Sequence, residues 1–145
     1  MNLLFVGHSM LYWGPNGDAA LAVPALFETL AELGGHEVTI TGSYIGAGTL
    51  EQHWFDTTGV TARAEIAKGT YDVVMLNGRA WTDTTFNAYA DKFAELAKAA
   101  GADVMFYGLW PGDWEVTSTS GDLQAARTQD YHNAAIRNGA ALSPN

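Results

Sequence analysis

"LLFVGHSMLYWG", residues Leu3 to Gly14, decides how the chain is read. Leu3, Leu4, Phe5 and Val6 form an unbroken apolar run of strand length, the pattern of a central parallel strand covered on both faces. Gly7 ends the run, so His8 and Ser9 emerge at the strand's carboxyl end. Ser9 is then either a nucleophile presented by a buried strand or an ordinary hydroxyl stabilising a turn.

Outward from this strand, a Gly/Asn/Asp-rich loop from Gly14 to Asp18 precedes a helix whose first residue is predicted to be Pro24, where a missing N–H costs nothing. Leu26, Phe27, Leu30 and Leu33 give that helix one apolar stripe, and Gly34-Gly35 ends it. "HEVTITGSYIG" reads as the second strand. A polar segment with a short helix near Thr61 to Lys68 leads to "YDVVMLNG", the third strand. Thr82 or Asp83 can cap a helix carrying Phe86, Tyr89, Phe93 and Leu96 at helical spacing, closed by Gly101. "ADVMFYGLW" is the fourth strand, "PGDWEVTSTSGD" a loop, and a helix from about Leu123 to Asn138 leads to "GAALSPN", the opening of a fifth strand. Strands alternating with helices predict a doubly wound parallel α/β sheet.

The 145 residues fit a single domain, 1–145, that buries roughly 68–70% of the surface its unfolded chain exposes. With no cysteine, thiolate chemistry, zinc-thiolate sites and disulfides are excluded. Seven Lys and Arg against sixteen Asp and Glu give a net charge of -9, which repels nucleic acid and anionic membrane surfaces. No apolar run approaches the roughly 20 residues that span a bilayer. Met1 to Val6 has neither the basic nor the long apolar region of a signal peptide, so the protein is expected in the cytoplasm, or exported with its signal already removed. No cofactor or metal is implied.

In such sheets ligands bind outside the carboxyl ends of the strands, and that rule collects the candidates. The first strand delivers His8, Ser9, Tyr12 and Trp13; the second Tyr44, Gly46, Gly48, His53 and Trp54. The third delivers Asn77, Arg79 and Trp81, and the fourth Trp110, Asp113 and Trp114. All five tryptophans follow strand ends on this reading, and none falls in a predicted helix. Singly, a tryptophan is as well explained as a roof over the sheet. As a set, with His8, His53 and Arg79, the five suit a substrate cleft with flat apolar walls for a sugar ring or an acyl chain. Ser9, a backbone N–H in the "IGAGT" turn and the Asn77 amide are the parts of an oxyanion hole, which stabilises the charge formed when an acyl carbonyl is attacked.

At these residues the chain resembles the SGNH (GDSL-like) hydrolase superfamily, esterases and carbohydrate deacetylases on a flavodoxin-like, three-layer α/β/α sheet. "FVGHSM" stands where the similar variant has G-N-S, which implies Ser9 as nucleophile and its N–H as an oxyanion donor. "IGAGTLEQHW" resembles the second block, whose donor glycine aligns with Gly46 or Gly48. "VVMLNGRAW" occupies the third block, with Asn77 carried over although the usual pattern is G-x-N-D. "MFYGLWP" fits the fourth strand, so the resemblance runs over essentially the whole chain.

A serine nucleophile needs an imidazole base, which the family supplies from an Asp-x-x-His block after the fifth strand; no such block occurs here. Asp130 and His132 are separated by one residue on a predicted helix and point apart. His36 opens the second strand at the far edge. His8 adjoins Ser9 and is read as a turn-stabilising or substrate-contacting residue, while His53 either meets substrate or packs under Trp54. Three explanations stand: the 145 residues are the first part of a sheet completed by a further segment or a second chain carrying Asp-x-x-His; the chain is a shortened binding relative; or a nonstandard base operates. The ending inside the fifth strand, with no helix to cover it, favours the first. The resulting expectation is a serine esterase or deacetylase acting on a small ester or an acetylated carbohydrate. Its rival is a noncatalytic flavodoxin-like binding module with a Trp-rimmed cleft for a sugar or aromatic ligand. "GAG" is too short for a G-x-G-x-x-G dinucleotide turn.

Overall fold

The apolar run near the start of the chain forms β1 (Asn2–Gly7), a buried strand around which the other elements are arranged. The structure, a computed structural model, describes residues 1–78, 84–108 and 120–143, with backbone alone over 120–127. A one-turn helix α1 (Ser9–Tyr12), two 3-10 turns and α2 (Val23–Leu33) lead to β2 (Thr39–Tyr44). Two short helices, α3 (Leu50–Phe55) and α4 (Ala62–Ile66), precede β3 (Val73–Leu76). The long helices α5 (Phe86–Ala99) and α6 (Ser120–Asn138) flank β4 (Asp103–Phe106), and β5 (Ala141–Leu142) closes the described chain. All strands pair in parallel, in the order β2-β1-β3-β4-β5, the doubly wound α/β sheet the alternation predicts.

Strand side chains alternate between faces, and the two faces build two apolar clusters. Leu4 and Val6 of β1, Val74 and Leu76 of β3, and Val104 and Phe106 of β4 pack with α3, α4, α5 and α6. Leu3 and Phe5 with Met75 form the other face, joined by Leu11 of α1. On α5, Phe86, Tyr89, Ala90, Phe93, Ala94 and Ala97 are buried at helical spacing, and Gly101 after it adopts φ +86°, a conformation other residues enter at a cost.

Several boundaries differ from the sequence reading. Pro24 is preceded in α2 by Val23. Thr82 and Asp83 lie outside the described residues, and α5 starts after Thr85. The stripe on α2 is little covered: Leu26, Phe27, Leu30 and Leu33 are all exposed, with Phe27 edge-on to Phe5 of β1 at 6.2 Å.

The larger difference is α3. "TLEQHW" looks polar, yet the Thr49 hydroxyl accepts from the Gln52 N–H (3.2 Å) and the Gln52 side chain accepts from the Thr49 N–H (2.8 Å). This capping box starts a helix and turns Leu50 and His53 inward. Trp54 therefore belongs to a helix, which corrects the expectation that none of the tryptophans falls in one.

Candidate active site

From β1 the chain winds outward to β2, then returns across β1 to β3, so the strand order reverses between β1 and β3. That switch point is where open α/β sheets bind ligands. Here the strand ends close tightly: the Asn77 N–H donates to the Val6 carbonyl at 2.9 Å. A Cβ on Gly7 would stand 3.0 Å from the Asn77 backbone oxygen and 2.5 Å from Leu11 Cδ1, so a larger residue would have to push these neighbours aside.

Ser9 is the first residue of α1, half-buried. Neither its N–H nor its hydroxyl has a hydrogen-bond partner among the described residues. It opens onto a groove of ≈ 500 Å³ lined by Met10, Trp13, Gly14, Asn16 and Gly17. Trp13 is 69% and Met10 47% exposed, so the wall beside the serine is a large, accessible apolar surface. His8 caps α1, its Nδ1 accepting from the Met10 N–H at 3.5 Å, and is 3% exposed. Of its two expected roles, this cap is the turn-stabilising one.

The second strand ends in the turn Ile45-Gly46-Ala47-Gly48. The Gly48 N–H closes this turn on the Ile45 carbonyl at 2.9 Å. Gly46 is exposed, and its N–H is unpartnered among the described residues. Ala47 takes φ +53° to make the turn, a strained choice for a residue with a Cβ. Tyr12 of α1 stacks against Tyr44 at 5.0 Å, which brings α1 beside the turn, and burial pushes the Tyr44 phenol up to about 12. Beyond Gly46 a further groove of ≈ 550 Å³ runs past Tyr44, Asp56, Thr58 and Val60.

Asn77 does not face open space. It is fully buried, and its Nδ2 donates to the Tyr107 carbonyl at 2.9 Å, tying β3 to the end of β4. The amide that the sequence reading places in an oxyanion hole thus clamps two strand ends. His53, read from the sequence as meeting substrate or packing under Trp54, is also fully buried. Its Nε2 lies 3.1 Å from the Gly7 carbonyl oxygen and its Nδ1 3.5 Å from the Ser43 hydroxyl. Burial lowers its pKa to about 4, against smaller opposing effects from the Gly7 bond and Asp56. Trp54 turns the other way on α3. It packs on Tyr89 and Phe93 of α5, with the Arg63 guanidinium 4.7 Å from its ring, an aromatic–cation cluster.

Arg79, Trp81, Trp110, Asp113 and Trp114 lie outside the described residues. Asp130 and His132 stand on α6, with His132 exposed. Among the described residues no group of three or more His, Asp or Glu could hold a metal, and no helix is long and apolar enough to cross a membrane.

This all-parallel β2-β1-β3-β4-β5 sheet matches solved SGNH-hydrolase structures over nearly the whole chain, so the resemblance carried by the motifs extends to the fold. A protein from Slackia heliotrinireducens assigned to the SGNH hydrolases is 25% identical, with TM-score 0.73, 98% of this chain and 77% of that one covered. TesA matches at 19% identity and TM-score 0.72 over the same shares of the two chains. A variant of Axe2, an acetyl-xylooligosaccharide esterase from Geobacillus, matches at 14% identity and TM-score 0.68, with 97% of this chain and 74% of that one covered. No family model and no curated protein matches the sequence.

Proposed function

We propose that this chain is a serine esterase or deacetylase of the SGNH type, acting on a small ester or an acetylated carbohydrate. The observation that carries the reading is Ser9 itself. It sits at the β1/β3 switch point with hydroxyl and N–H unpartnered among the described residues, beside an accessible apolar groove. In the proposed reaction Ser9 Oγ attacks the acyl carbon, its proton passing to a base, and the carbonyl oxygen becomes an oxyanion. The N–H groups of Ser9 and Gly46 donate to that oxyanion. Collapse expels the alcohol, and water then releases the acid from the acyl-serine. Trp13 and Met10 hold the apolar part of the substrate.

The base is the open element. His8 caps a helix, His53 is buried and neutral, His36 lies at the far end of β2 and His132 is exposed on α6. We therefore assign the base to an imidazole on a further segment or a second chain. A fluorophosphonate probe is expected to label the protein as purified from its source at one site, and Ser9→Ala to abolish both labelling and ester hydrolysis. No labelling, or labelling that survives Ser9→Ala, overturns the proposal. Sugar-dependent tryptophan fluorescence that survives Ser9→Ala, with no hydrolysis at any pH, identifies a binding module instead.

A further inference from the structure

His53 is a buried, titratable side chain that the proposed reaction does not use. Of its two contacts, the Gly7 carbonyl can only accept, so Nε2 carries the ring proton. A neutral ring then leaves Nδ1 as acceptor for the buried Ser43 hydroxyl. The Gly7 oxygen also accepts the Ile45 N–H at 3.1 Å. One carbonyl thus joins the end of β1, two residues before Ser9, to the residue that immediately precedes Gly46, and α3 locks it through His53. A position needing only bulk between these strands would be met by leucine. This one holds a side chain with a donor for β1 and an acceptor for β2.

We infer that His53 is a positioning residue, which by donating to the Gly7 carbonyl sets the distance between the two oxyanion donors, the Ser9 and Gly46 N–H groups. The inference rests on the Ser9 reading above. Oxyanion donors act chiefly in the transition state, where small misplacements are costly. Loss of the clamp therefore lowers kcat and leaves KM nearly unchanged.

Ester hydrolysis by His53→Leu, which keeps bulk without a donor, and by His53→Gln, whose amide can reach Gly7, separates positioning from packing. His53→Leu is expected to lose about tenfold to a hundredfold in kcat with KM little changed, while His53→Gln recovers most of the loss. Nitrogen-15 NMR of the ring is expected to show a neutral Nε2–H tautomer at neutral pH. Should His53→Leu not fold, His53→Asn, whose amide stops short of Gly7, takes its place. Unchanged kcat in the donor-less variant, equal losses in both variants, or an Nδ1–H tautomer overturns the inference and leaves the Ser9 reading standing. Full hydrolysis in Ser9→Ala overturns the Ser9 reading itself.

Discussion

His53 has a pH dependence that its surroundings dictate. Its folded pKa of about 4 lies below the ordinary value of 6.5, so the unfolded chain takes up a proton more readily than the folded one. The stability this burial preserves is fully present above about pH 6.5 and is lost as pH falls toward 4. By linkage the loss reaches roughly 3 kcal/mol at pH 4. Urea unfolding of the native protein and His53→Gln across this range should show the difference between them shrinking as the pH falls. Parallel curves would mean that the ring is accessible and titrates normally.

The element that carries this residue is short, and its start is a chemical event. α3 has six residues, too few to be stable by propensity alone, so the reciprocal bonds of Thr49 and Gln52 matter more than they would in a long helix. Thr49→Ala is expected to cost about 1 kcal/mol, measured by denaturant midpoint. It should also speed amide exchange across Leu50–Phe55, since the helix ordering His53 frays with its cap. The signal was present as T-x-x-Q, but the polar "EQ" masked a helix whose buried face is only Leu50 and His53. On α5, by contrast, an apolar residue recurs every third or fourth position over fourteen residues. That stripe is legible without knowledge of what it meets.

Across the whole molecule, distant segments hold the strand ends in place. The Tyr131 hydroxyl on α6 accepts from the Gly78 N–H at 3.1 Å and donates to the Gly78 carbonyl, bridging 53 positions of sequence. Tyr131 is 1% exposed and its ring meets Phe86 at 5.0 Å, so α6, packed on α5, holds Gly78 in place. Tyr131→Phe keeps the ring and leaves the Gly78 N–H buried without that partner, a cost of about 1–3 kcal/mol visible in chemical denaturation. A near-zero change would mean that water replaces the hydroxyl and the junction is open. By itself the sequence determined the alternation of strands and helices, the two-faced burial of β1 and the position of Ser9 at its end, because apolar period and turn residues act locally. Only the tertiary structure decided that Asn77 turns inward to Tyr107, that Gly48 spends its N–H within its turn while Gly46 has no partner among the described residues, and that His53 reaches Gly7. Asn77 and His53 find their partners on elements far along the chain that become neighbours only when the sheet is wound. Gly48 is committed by the path of its turn, where Ala47 adopts a positive φ that its residue type does not announce.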